Sequence, residues 1–353
     1  MNILFLVFLF LTVVSFTDLV KCPLALRITL LIVSGILLAL VAGLRYGDRD
    51  YVNYLEMYSD APTLFSGVDT SVLHGEPGYI FINSFFKTIG VGSVGVFLFM
   101  SFSSVSLSLN FFRKNSPYFL IAVLIYFSHV FMLRDMMQIR AGLAASISLY
   151  ALRYIQDRRF LPFLGVILLA ASFHSGVLIL ILAYLTFPYF RGRDTRIKYV
   201  AGLGFILGLL LKASIIEFII TTFFNIPAVA IYLAEPEYFV SLGLFNIVLL
   251  KNVLLLILVF YYKEDIKEHV PNFDAMLISL ALGIFWLSAF NNFAIFAARL
   301  ATYFANVEHI LLPALFLTKL NKFLLWGIVV CYCLVMYLSK FSIFNEMTYL
   351  FWK

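Results

Sequence analysis

Long apolar runs alternate with short polar breaks along almost the whole chain. A membrane-spanning helix needs about 20 mostly apolar residues in succession. Runs of that kind occupy 2–20, 25–44, 92–112, 117–133, 137–156, 197–213, 242–262, 274–290, 294–317 and 322–342. The stretch 160–190 is too long for one crossing and short for two. Arg158 and Arg159 precede it and a basic cluster from Arg191 to Lys198 follows it, so both flanks face the same side. Parity then asks for two short helices, 160–173 and 175–190, meeting near His174, or for a re-entrant hairpin. The pattern predicts an all-α, polytopic integral membrane bundle of about twelve transmembrane helices, forming one domain over 1–353. Two polar stretches, 45–91 and 214–241, are too polar or too broken to cross and read as outer loops with interfacial helices.

Composition sharpens this picture. Of 353 residues, 63% are hydrophobic and only 12% charged, and mean hydropathy is +1.00. Soluble domains do not have that balance. A net charge of +6 would suggest nucleic acid in a soluble protein. Here most basic residues, among them Arg113, Lys114, Arg153, Lys263 and Lys322, sit in short loops on one side, which marks that side as cytoplasmic and argues against nucleic acid. Both termini then face outward. No Lys or Arg precedes the first apolar run, so 2–20 reads as a retained helix rather than a cleaved signal. Cys22, Cys331 and Cys333 form no paired motif and read as inert.

The remaining polar residues fall together on the outer face. They are Arg45, Asp48, Asp50, Glu76, Arg134, Arg140, His174, Asn291, Asn292 and Arg299. Arginine near a bilayer is costly unless paired or facing a polar cavity, so one cationic outer site is expected. In "DRDYVNY" Tyr51 and Tyr54 are three apart and share a face of a short helix, suited to a sugar or to the membrane interface. "HGEPGYIFINSFFKTIG", 74–90, reads as an interfacial or re-entrant helix opened by Pro77. Glu76 just before it is either a general base or a partner of the helix amides. Arg134 and Gln138 are four apart on one face, and Arg140 lies deeper. Guanidinium groups bind phosphate oxygens bidentately; pairing of these arginines with Asp135 or another carboxylate is the structural alternative. His174 is a candidate base or phosphate ligand, or a structural histidine. It has no companions at ligand spacing, so neither a metal nor any other cofactor is expected. Arg299, Tyr303 and Asn306 form a polar stripe that lines substrate or bonds between helices.

The runs "RYGDRDYVNY", "EPGY", "RDMMQIRAGLA" and "SFHS", in this order, resemble the EpsG-like group of Wzy-type polysaccharide polymerases. The resemblance implies a multi-pass bacterial inner-membrane glycosyltransferase that extends O-antigen or capsule chains at the periplasmic face. Its donor would be a glycan chain on undecaprenyl diphosphate and its acceptor a repeat unit on the same lipid. A chain-length regulator is a candidate protein partner. On this reading Arg134, Arg140 and Arg299 hold diphosphate, and Arg45 supports them or pairs with Asp50. Asp50 or Glu76 is the base, His174 is held in reserve, and Tyr51, Tyr54, Gln138 and Tyr303 line the substrate. The acidic position of the motif matches Asp50, which leaves Asp48 without a clear role. No phosphate-binding glycine loop is present, which disfavours nucleotide substrates. An O-antigen ligase would need much the same site. A flippase would need charge along a path through the membrane, for which Lys251 and Glu308 are the candidates.

Overall fold

The computed structural model describes residues 3–66, 75–211 and 241–340, together with the backbone of Thr348 and Tyr349. Most of the expected outer loop at 214–241 lies outside the described residues. In chain order the helices begin with α1 (Ile3–Phe16), α2 (Leu24–Gly43), α3 (Tyr51–Asp60), α4 (Pro77–Thr88), α5 (Ser93–Asn115), α6 (Phe119–Tyr126) and α7 (Ile139–Ser148). They continue with α8 (Ala151–Gln156), α9 (Phe160–Ala171), α10 (Ile181–Phe190) and α11 (Asp194–Leu210). Further helices cover Ile247–Tyr261, Phe273–Ala289, Ala294–Ala305, Glu308–Ala314 and Lys322–Leu338. Apart from a two-residue ladder that pairs Arg45 with Tyr349 and Tyr46 with Thr348, the described chain is helical.

Three helices are both long and apolar enough to cross a bilayer: Leu24–Gly43, Ser93–Asn115 and Phe119–Met137. A bent pair, Ala294–Ala305 followed by Glu308–Leu317, would make a fourth. The other apolar helices, such as Ile3–Phe16 and Phe273–Ala289, are shorter. The fold is therefore an apolar helical bundle suited to a membrane.

Packing groups the chain into two compact units. The first holds residues 1–151, 161–178 and 312–353. In it α2 lies close against α5, because Gly43 leaves no room for a side chain. A β-carbon there would come within 3.0 Å of the Leu98 backbone and 2.8 Å of Ser101 Oγ. Ser101 Oγ in turn donates to Ala39 O across the same contact at 2.9 Å, the small-residue packing of membrane helices. Asp18, just past α1, takes hydrogen bonds from the Leu120 and Ile121 amides at 2.8 and 3.0 Å, satisfying the exposed start of α6. Its other oxygen receives Arg27 at 2.6 Å.

Helix α6 does not stop at Tyr126. It widens into π-helical turns over Phe127–Met137, breaks at Gln138 (φ −99°, ψ 62°) and restarts as α7. The widened segment is held from inside. Asp135 accepts hydrogen bonds from Ser104 Oγ and, at 2.7 Å, from Tyr126 Oη. Ser146 Oγ stands 2.8 Å from the hydroxyls of both Ser104 and Ser108. π-turns of this kind are frequent at functional sites, and this one carries Arg134.

The second unit holds residues 152–160 and 179–311. Helix α11 lies against Phe273–Ala289, with Gly204 close enough that a β-carbon would sit 2.7 Å from the Phe285 backbone. Ser279 Oγ donates to Phe304 O at 3.0 Å and ties the helices Phe273–Ala289 and Ala294–Ala305 together. Lys251 and Glu308 form a buried ion pair. Asn291 and Asn292 connect three segments: Asn292 Nδ2 donates to Leu211 O at 2.9 Å, Asn291 Nδ2 to Gly208 O at 3.2 Å, and the Leu242 amide to Asn291 O at 2.8 Å.

Candidate functional site

The site is built outward from the end of α2. Arg45 is wholly buried there. Its Nε donates to Asp48 Oδ2 at 2.7 Å, its Nη1 donates to Ala42 O at 2.7 Å, and its guanidinium faces the Phe97 ring at 5.3 Å. Of the two carboxylates in this loop, Arg45 pairs with Asp48 rather than with Asp50. Asp48 Oδ1 accepts the Asp50 amide at 3.0 Å, a local turn that launches α3. Asp48 thus holds the loop together. Asp50 stands at the head of α3, and its side chain makes no capping hydrogen bond.

Helix α3 presents Tyr51 and Tyr54 inward, both buried. Tyr51 packs against Tyr46 and Phe97, with ring centroids 4.9 and 5.4 Å apart. Tyr54 meets Tyr79 of α4 edge-on at 5.8 Å. Burial pushes the Tyr54 and Tyr79 phenols above the usual tyrosine range, so both stay protonated through neutral pH. The Arg140 guanidinium stands 5.9 Å from the Tyr54 ring and 5.7 Å from the Tyr79 ring, a cation beside an edge-on aromatic pair.

Glu76 closes the cluster. It precedes α4, but it does not bond to the amides of that helix. Its Oε2 accepts from Arg140 Nη1 at 2.5 Å and its Oε1 from the Ser175 amide at 3.1 Å. The Gly78 amide donates to Ser172 O at 2.7 Å. Together these bonds pin the start of α4 to the "SFHSG" break after α9. His174 sits in that break with Nδ1 accepting the Gly176 amide at 3.2 Å, so Nδ1 faces the chain. Arg140 is partly open, with about a quarter of its side chain accessible. Its buried Nε has no hydrogen-bond partner among the described residues.

The first unit therefore assembles Arg45, Asp48, Asp50, Tyr51, Tyr54, Glu76, Arg140 and His174. It also holds Arg134 and Gln138, which hydrogen-bond to each other where the π-helical turns end. Arg134 is buried; the neighbouring Asp135 carboxylate is bound by Ser104 and Tyr126. Arg299 and Tyr303 lie one turn apart on Ala294–Ala305 in the second unit. Sequence reasoning gave no role to Tyr79 and offered Asp135 only as a structural partner of the arginines, whereas Asp135 accepts hydrogen bonds from Ser104 and Tyr126. The available signal for Tyr79 was its place three residues after Glu76 in "EPGY". Among the described residues no three His, Cys, Asp or Glu side chains converge as metal ligands.

An apolar helical bundle with an arginine, a carboxylate and two tyrosines gathered from separate segments defines a membrane protein with a built polar site. The chain belongs to the EpsG family, whose model matches residues 28–352. It is similar to the amylovoran biosynthesis protein AmsC of Erwinia amylovora, at 25% identity over 250 residues. That match covers 67% of this chain and 64% of the relative, so the chain spans less than two thirds of AmsC. No solved structure matches.

Proposed function

We propose that this chain is a membrane glycosyltransferase of polysaccharide biosynthesis, a polymerase acting on lipid-linked sugars. The donor is a glycan chain on undecaprenyl diphosphate, and the acceptor is a repeat unit on the same lipid. An acceptor hydroxyl attacks the anomeric carbon of the donor, and the bond from that carbon to the diphosphate oxygen breaks. Undecaprenyl diphosphate leaves with the bonding pair, and the hydroxyl proton passes to a carboxylate. The chain crosses the bacterial inner membrane about twelve times, with the site at the periplasmic face.

One observation carries this reading: Arg140 lies against two tyrosine rings, with Glu76 on one nitrogen and a spare buried donor at Nε. Guanidinium with donors in hand suits a diphosphate, and it stabilises the negative charge that grows as the leaving group departs. Glu76 or Asp50 is the base, with His174 in reserve. Arg134 and Gln138 are proposed to extend the diphosphate and sugar contacts. The arginines do the charge work, so the reaction is proposed to need no metal. EpsG membership and the AmsC relative, named for amylovoran biosynthesis, support the substrate class. A transport path is disfavoured because Lys251 and Glu308, its candidate charges, neutralise each other.

The test is reconstitution of the purified chain with undecaprenyl-diphosphate-linked repeat units, without nucleotide or added metal. A product ladder spaced by one repeat unit is expected. Transfer only to lipid A core would make the protein a ligase, and lipid movement with no new glycosidic bond would make it a transporter.

A further inference from the structure

Helix α11 carries two cations with no carboxylate partner among the described residues. Two neighbouring acids are engaged: Asp194 is held by Lys263 at 2.6 Å, and Asp274 is met by Arg191 at 3.7 Å. Arg196 and Lys198 rest on aromatic rings instead. The Arg196 guanidinium stands 4.2 Å from the Tyr189 ring, and its Nη1 donates to Tyr189 O at 3.3 Å. Lys198 Nζ stands 4.8 Å from the Phe260 ring.

Each cation opens onto an apolar cleft. A cleft of about 510 Å³ runs past Arg196, Tyr199, Leu203 and Ile206. A second, of about 480 Å³, runs past Lys198, Phe205, Leu256, Ile257 and Phe260. At 3.6 residues per turn, positions 196, 199, 203 and 206 form one stripe of α11 and 198, 202 and 205 the next. Both stripes begin with a cation and continue apolar. From Arg196 to Ile206 the helix rises about 15 Å, half the roughly 30 Å hydrocarbon core of a bilayer. Lys198 and Gly202 line both clefts. A β-carbon at Gly202 would meet nothing within 4 Å, so the ridge between the clefts is low.

The geometry points to a binding site for one acidic, two-chain phospholipid of the bilayer. Its phosphate lies between Arg196 and Lys198, and one acyl chain lies in each cleft. Chains alone would fit any greasy surface; the paired cations at the mouths supply selection by charge. A free phosphate would leave both clefts unfilled. Two adjacent apolar clefts, running about 15 and 10 Å along α11 from a shared cationic head, match a diacyl lipid. The site lies in the second unit, involves none of the residues of the Arg140 cluster, and stands whether or not the polymerase reading does.

The test is native mass spectrometry of the full chain in neutral detergent, titrated with phosphatidylglycerol and with phosphatidylcholine of the same chains. Retention of phosphatidylglycerol about tenfold stronger is expected. The double variant Arg196→Gln, Lys198→Gln should bind the two lipids alike. Gly202→Trp, which raises the ridge, should weaken phosphatidylglycerol more than its single-chain lyso form. It keeps the proposal testable if the double variant fails to fold. Equal retention of both lipids by the wild type would overturn the proposal. So would an undiminished preference in the folded double variant, or competition by glycerol 3-phosphate at the lipid's own concentration.

Discussion

Arg45 Nε and Asp48 Oδ2 meet at 2.7 Å with both side chains closed to solvent. The pair sits where α2 ends and the polar loop begins, and Asp48 also receives the amide of Asp50. With both oxygens occupied, Asp48 is unsuited to proton transfer, and the acid-base candidate of this loop is Asp50.

Breaking this pair from one side should damage the fold more than the chemistry. Asp48→Ala leaves a buried guanidinium uncompensated, a change that costs about 3–5 kcal/mol in comparable pairs. A lower unfolding temperature in detergent and reduced membrane abundance are expected. An apolar double replacement, Arg45→Met with Asp48→Leu, should recover much of that stability. If Asp48→Ala keeps wild-type stability, the locking role is wrong.

Arg140→Lys should separate charge from geometry. Lysine retains the cation but loses the planar fork that can bond Glu76 and an anion together. Chain lengthening should fall about a hundredfold or more, while the protein stays in the membrane at normal level. Full-length polymer from this variant would remove Arg140 from the proposed machinery.

Alkaline pH should destabilise the protein through its buried phenols. Burial raises Tyr54 and Tyr79 above their unfolded value near 10. The native state therefore resists losing these protons while the unfolded chain gives them up. Their contribution is complete below about pH 10 and is lost as pH rises from there through the higher folded values. Thermal melting between pH 8 and 11 should show a fall in the upper part of that range. The Tyr54→Phe, Tyr79→Phe double variant should blunt it; an unchanged slope would count against the cause.

Gly78→Ala probes how α4 is docked. A β-carbon at this position would stand 2.7 Å from Ser172 O and 2.6 Å from Ser172 Oγ. The start of α4 must then move off the break that carries Ser175 and His174. A loss of about 1–3 kcal/mol in stability is expected, with loss of activity in the fraction that folds. Melting and the ladder assay together would read both effects.

The helical bundle and the polar loop after α2 were legible because a bilayer imposes length and apolarity, which composition records directly. The 194–210 and 273–289 helices fall close to the expected runs. The contact between Arg140 and Glu76 was not legible, since 64 residues separate them and no spacing rule links them. The role of Asp48 was closer to hand: it lies three residues from Arg45, within reach of any tight turn. The π-helical turns at Phe127–Met137 could not be read, because the apolar stretch Phe119–Tyr126 that leads into them hides its period. Asp135 lies inside those turns, and the Ser104 hydroxyl that binds it comes from another helix.

Glu76 is held by Arg140 on one oxygen and by the Ser175 amide on the other. An arriving diphosphate competes for the same guanidinium and frees one oxygen of Glu76. In the proposed reaction the anion then primes the base by displacing it, and the resting enzyme stays idle toward water until its own substrate is in place.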